Sequence, residues 1–254
     1  MSKSALVTGA DAVGRRMEKL LETQAAAVDP KQIELIQADI TLEQDRNKIL
    51  AKLGAVKLEY LVHNAGVVGP LVPSDKLDLG EFQSVMRTNV EAPIFLTQLL
   101  LPALEFNSKK SRILHVSSGC AHSASPSWLA YCVSKAAFLM AYRCLALDLE
   151  PKGILVGSFK PGIVDTEMQQ EMRLASVGDF PKADFFKKLR QEQLNHHSGE
   201  EVAGKPHAPS RDRLDIPDNV AHFAWFLLHD TSDAEFPSHD WDIRDDKIGL
   251  RWIK

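Results

Sequence analysis

The chain has 254 residues, of which 44% are hydrophobic, and 30 basic residues against 34 acidic ones leave a net charge of −4. That suffices for one large α/β domain with its own core, and without a long basic run it excludes a nucleic-acid partner. MSKSALVTGA at the N-terminus lacks a signal-type apolar segment, and no apolar run reaches the about 18 residues that cross a bilayer, so no membrane partner and a cytoplasmic location are expected. Cys120, Cys132 and Cys144, odd in number, read as buried free thiols in a reducing compartment.

Residues 5–8 form an apolar run entering Gly9, and Gly14 is expected to open a helix through Leu21. A strand, a glycine turn and a helix N-terminus cradle phosphate through free N–H groups and the helix dipole. Asp11 sets a negative charge beside that cradle. Residues 24–30 break the helix, and 33–41 (IELIQADIT) read as the next strand. Only about 25 residues separate Gly14 from Asp39, where a strand-helix-strand unit needs about 30 or more. One early strand-helix unit is therefore expected to be missing.

Farther on, residues 43–53 read as an amphipathic helix and 58–63 as a strand delivering Asn64, Ala65 and Gly66. Helices are expected over 80–89, kinked at Asn89, and over 93–106. Residues 112–118 form a buried strand ending in small hydroxyls, and 129–150 a deeply buried helix stopped by Pro151 and Gly153. A strand over 154–160 enters the Pro161-Gly162 turn. The charged stretch 169–215 reads as a long functional insertion, with a helix over 183–195 and a loop over 198–213. His196, His197 and His207 have no supporting spacing of Cys, Asp or Glu, so no metal is expected. Pro217 opens a last helix reaching about His229, and Asp242 in the tail reads as a solvated carboxylate.

This alternation predicts a single domain over 1–254, a doubly wound parallel sheet with helices on both faces. Ligands bind beyond the carboxyl ends of such strands, where Thr8, Asn64, Ser118 and Pro161 converge. Tyr131 and Lys135, four residues apart, share one helix face. The ammonium is expected to pull the phenol below its ordinary pKa of about 10, so that the pair exchanges a proton with an alcohol near neutral pH.

Ser118 lies thirteen residues before Tyr131, HNAG spans His63 to Gly66, Asn89 sits in MRTNVEAP, and Pro161-Gly162 precedes Val164-Asp165-Thr166. In order and spacing this set resembles the short-chain dehydrogenase/reductase family over most of the chain. WLAYCVSKAAF with KPGIVDTEMQ is most similar to its sepiapterin reductase and benzil reductase group. The resemblance implies hydride transfer between NADP or NAD and a ketone, diketone or secondary alcohol. Tyr131 would be the general acid and Ser118 the donor to the carbonyl oxygen. Lys135 would hold the nicotinamide ribose, and Asn89 a water on the proton path. Cofactor contacts would come from Thr8, Gly9, Gly14, Asp39, Ile40, Asn64, Ala65, Gly66, Tyr131, Lys135, Pro161, Gly162, Val164 and Thr166.

It further implies a homodimer on the helices 93–106 and 129–150, a substrate lid over 169–215 and a dinucleotide-binding half over 1–66. That half departs from the family pattern, because TGADAVG is one residue short and has Ala12 for the middle glycine. The tail SHDWDIRDDKIGLRWIK departs from the family's usual glycine-bearing last strand, and a sepiapterin-type site would make Asp242 a substrate-facing acid. The shortened half leaves a second reading open, a catalytically weak relative that acts by binding or regulation. Residues 33–39 are expected to pair directly with 5–8, placing Asp39 on the adenosine ribose and favouring NAD. The resemblance favours NADP, for which only Arg15 and Arg16 could supply phosphate contacts.

Overall fold

A strand can join a parallel neighbour only through a crossover, and this chain supplies a helix for most of them. The computed structural model describes residues 4–9, 13–27, 29–104, 110–196 and 214–253. In chain order they run β1 (Ala5–Thr8), β2 (Val13–Gly14), α1 (Met17–Ala26), β3 (Ile36–Gln37), α2 (Glu43–Leu53), β4 (Tyr60–His63) and α3 (Leu79–Met86). There follow α4 (Ala92–Leu104), β5 (Ser111–Val116), α5 (Leu129–Leu149), β6 (Ile154–Lys160), α6 (Glu167–Leu174) and α7 (Ala183–His196). The chain closes with α8 (Pro217–His229), β7 (Asp240–Asp242) and α9 (Asp246–Trp252). One seven-stranded sheet, all parallel, has the order β3-β2-β1-β4-β5-β6-β7.

Both faces of the sheet are covered, which is why β5 and β6 read as apolar runs rather than alternating ones. On one face Leu6, Leu61, Ile113 and Val156 pack with Leu96, Leu100 and Leu139 of α4 and α5. On the other, Leu114, Leu155 and Phe159 meet Phe223, Phe226 and Trp252 of α8 and α9. A third cluster joins Trp128 and Tyr131 to Met172, Phe180 and Phe186 in and between α6 and α7. The helix Leu129–Lys152 is long and apolar enough to cross a membrane by length and composition. Here its Phe138, Leu139 and Tyr142 are buried, so it serves as a core helix. The kink expected at Asn89 is a π-turn over Arg87–Glu91 between α3 and α4, the kind of local widening that often marks a functional position.

Three expectations are overturned. Residues 33–39 do not pair with β1: Val13 and Gly14 of the glycine loop intervene, Val13 in register with Thr8 on one side and Ile36 on the other. The two loop residues satisfy backbone groups that a direct pairing would have used, and Gly14 carbonyl also accepts from Ala38 N–H at 3.0 Å. Gly14 therefore opens no helix, and α1 begins three residues later. The tail departs from the family's glycine-bearing strand yet still pairs: β7 joins β6 without any glycine, Trp241 filling the core where it stands 2% exposed. The thiols are free, but Cys144 is exposed and Cys120 and Cys132 only half-buried.

Candidate active site

The carboxyl ends of β1, β4, β5 and β6 fall level, since Thr8, His63, His115 and Ser158 stand in one register row across the sheet. The segments that follow these residues consequently meet in one cleft. Thr8 is 1% exposed, and its Oγ1 accepts from the N–H groups of Asn64 and Ala65 at 3.2 and 3.3 Å. Gly9, at φ +112, passes so close that a Cβ there would lie 2.5 Å from Asn64 Nδ2. Asn89 brackets the next residue: its Oδ1 accepts from Val67 N–H and its Nδ2 donates to Val67 carbonyl, both at 2.9 Å. Nδ2 also donates to Ser134 Oγ at 3.0 Å. The Asn89 amide thus holds the loop after Gly66 in place against α5.

Ser118 caps the short turn Gly119–Ala121, accepting from Cys120 N–H at 3.2 Å. Tyr131 and Lys135 point from the first turns of α5 into the same cleft, both buried at 8% and 7% exposure. Lys135 Nζ donates to Val116 carbonyl at 2.9 Å and lies 5.7 Å from the Tyr131 ring centroid. The lowered phenol pKa expected from this pair is overturned. Burial raises the Tyr131 pKa well above its ordinary value, against a smaller lowering by its hydrogen bond with Ser118. Burial likewise lowers Lys135 from 10.5 to about 8, partly offset by the negative charge of Asp240. Desolvation outweighs the pairing because each group loses water and the ammonium spends its contact on a backbone carbonyl. The Cys120 thiol is pushed up to about 12, chiefly by burial, which makes it a poor nucleophile.

After β6, Pro161 and Gly162 (φ +76) turn the chain beside Arg244, Val164 bridges to Asp215, and Thr166 stands just before α6 with its hydroxyl donating to Val164 carbonyl at 3.4 Å rather than capping the helix. Next to it Glu167 receives Arg16 at 2.5 Å and Lys19 at 3.8 Å, tying the start of α6 to the start of α1. One cofactor expectation loses its geometric basis, the placing of Asp39 on the adenosine ribose, which needed direct pairing with β1. The Asp39 carboxylate accepts from both Thr41 N–H and Thr41 hydroxyl, at 2.9 and 2.7 Å, and it follows a strand separated from β1. Ile40 is 6% exposed, with its side chain in the core. Asp11, His197 and His207 lie outside the described residues, and among the described residues no cluster suited to a metal occurs.

Sequence reasoning missed His122 and Asp240. Asp240 Oδ2 accepts from His122 Nε2 at 2.6 Å and from Ser117 Oγ at 3.2 Å, while Oδ1 accepts from Ser158 Oγ at 2.5 Å. No local spacing signals this group, because its members come from the segment after β5, from β6 and β7, and from one turn. Asp242, by contrast, is tied to Arg244 and Lys160 at 3.1 and 3.3 Å.

A family model described as short chain dehydrogenase matches residues 1–176. The chain belongs to the short-chain dehydrogenase family. Among its relatives, a Bacillus subtilis benzil reductase ((S)-benzoin forming) is 33% identical over 164 residues, which is 63% of this chain and 67% of that one. A Bacillus cereus benzil reductase is 32% identical over 135 residues, covering 52% and 54% of the two chains. In fold, a short-chain dehydrogenase/reductase from Saccharomyces cerevisiae superposes with a TM-score of 0.75 at 22% identity, covering 95% of this chain and 87% of that one. This short-chain dehydrogenase is thus an oxidoreductase whose reaction class is hydride transfer between ketone and alcohol carbons.

Proposed function

We propose that the chain is an NADPH-dependent carbonyl reductase acting on ketones or vicinal diketones. The observation carrying this reading is the trio of half-buried Ser118 with buried Tyr131 and Lys135 at the carboxyl end of β5. The Tyr131 phenol is the proton donor to a carbonyl oxygen, and Ser118 supplies a second hydrogen bond to that oxygen as negative charge builds on it. The nicotinamide, when bound, supplies the hydride. Lys135 has two further N–H donors for its ribose, and Asn64 to Gly66, Pro161, Gly162, Val164 and Thr166 form the walls at that end. At the adenosine end Gly9 is the close-approach residue, while Gly14, Asp39 and Ile40 are turned to structural contacts. Losing Asp39 as a ribose acid removes the case for NAD, and the exposed Arg15 beside Arg16 favours a phosphate-bearing cofactor. Vicinal diketones are favoured by the resemblance to benzil reductases.

We further read 1–254 as one domain, with α6 and α7 as a substrate lid packed on Trp128 and Tyr131. The chain is proposed to act as a cytoplasmic homodimer, the free thiols according with a reducing compartment. The test is Tyr131→Phe, which keeps the ring and removes the proton donor. Turnover of a diketone should fall about 10²- to 10⁴-fold while NADPH affinity changes little. Diketone reduction by the variant at the parent's rate would refute the mechanism. A second reading, a binding protein without turnover, draws support from β2 and β3 having only two residues each. It predicts cofactor binding with no NADPH consumption on any ketone.

A further inference from the structure

A buried carboxylate is costly unless donors surround it. The Asp240 side chain is 4% exposed and receives three hydrogen bonds, two from Ser117 and Ser158 and one from His122. The serines already anchor β7 to β5 and β6, and strand pairing joins β7 to β6 as well. A neutral amide would do as much. What the charge adds is a fixed imidazole: a carboxylate can only accept, so His122 Nε2 must donate, and the Nδ1 lone pair is left outward. The His122 side chain is 40% exposed, and its ring makes no other hydrogen bond among the described residues. It stands four residues after Ser118, at the end of the turn that Ser118 caps, roughly 8 Å along a 3₁₀ rise. Ser117, held by the same carboxylate, adjoins Ser118, and the charge of Asp240 is felt at Lys135.

We propose that His122 is a substrate-binding residue, positioned by Asp240, whose Nδ1 accepts a hydrogen bond from a hydroxyl on the carbon next to the reacting carbonyl. The favoured compounds are then α-hydroxyketones, taken as substrates or released as products of vicinal diketones. The inference rests on the carbonyl-reductase reading and extends it to a substrate class. Asp240 acts through the imidazole and is a positioning residue.

The test measures binding rather than turnover. Full-length Tyr131→Phe protein loaded with NADPH is titrated by calorimetry with 2-hydroxyacetophenone and with acetophenone, which differ only in the hydroxyl. One hydrogen bond should make the hydroxyketone about fivefold tighter. Adding His122→Ala should abolish that preference and leave acetophenone affinity within about twofold. Adding Asp240→Asn in its place should lower the preference, because the imidazole is no longer fixed by a charge. The proposal is overturned if the starting protein binds neither ketone or does not distinguish them. It is equally overturned if the preference survives His122→Ala, or if that change weakens both ligands alike, as a purely structural role would. Failure of the carbonyl-reductase reading shows separately, as no NADPH consumption by the unsubstituted chain on a panel of ketones.

Discussion

His63 and His115 are register partners on β4 and β5, and both rings are shut off from water at 4% and 3% exposure. His63 Nε2 meets Thr97 Oγ1 at 2.8 Å, and Phe138 packs on both rings. Burial lowers His63 from 6.5 to about 3 and His115 well below 6.5. In the unfolded chain such a residue gains its proton near pH 6.5, whereas folded His63 stays neutral until about 3. Between those values the unfolded chain holds more protons, so stability falls as pH falls through 6.5. At pH 5 the loss from His63 alone is about 2 kcal/mol. His63→Asn, which installs the residue the family resemblance expects there, should shrink the stability difference between pH 7.5 and pH 5 by about that amount in urea unfolding. An unchanged difference would show that His63 does not titrate with folding. Lys135 acts at the other end of the scale. Its folded value of about 8 against 10.5 means that stability should rise from pH 8 towards 10, until ionisation of tyrosine in the unfolded chain opposes it. Lys135→Met should flatten that rise in the same assay.

Among the elements, those specified by local pattern were legible. The helices 43–53 and 217–229 and the strand 154–160 occur with the bounds their periodicity suggests. Ser118, Tyr131 and Lys135 were legible for the same reason, since strand, turn and helix are consecutive. Legibility ended where a residue's partner lies far along the chain. The insertion of Val13–Gly14 between β1 and β3 depends on which backbone groups remain unpaired after the sheet assembles. Arg112 is a second case. It opens the strand expected over 112–118, and its guanidinium is buried against the end of α8. Nη1 donates to Leu227 and Leu228 carbonyls at 2.9 and 3.1 Å, and Nη2 to Thr231 carbonyl at 2.8 Å. The cation serves as a remote cap for carbonyls that a helix end leaves without partners. Arg112→Met preserves much of the volume and strips those carbonyls, so it should cost about 2–4 kcal/mol of unfolding free energy. Hydrogen exchange should accelerate first in the last turn of α8. A loss below about 0.5 kcal/mol would mean that water takes over the capping.

At the scale of the whole molecule, the distribution of exposed apolar side chains is uneven. On α5, Val133, Met140 and Leu147 recur every seven residues, 38%, 56% and 78% exposed, with Leu129 at 45% extending the stripe. Phe95 on α4 stands 50% exposed. The opposite face of α5 is committed to the sheet, so this stripe is not surplus core material that the fold could fold inward. Its repeat keeps the residues near one line of the helix, which suits a neighbouring helix rather than irregular loops. A second copy meeting it about a twofold axis would bring the same stripe to both sides, as an isologous interface requires. An obligate-type contact of this kind buries roughly 2,000 Å² or more in total. Light scattering at micromolar concentration should therefore report twice the mass of one chain. Met140→Glu with Leu147→Glu, which place like charges on both sides of a twofold contact, should shift the mass towards one chain while the far-ultraviolet circular dichroism stays unchanged. A single-chain mass for the unsubstituted protein would refute the dimer. A double mass that survives both substitutions would place the interface on another face.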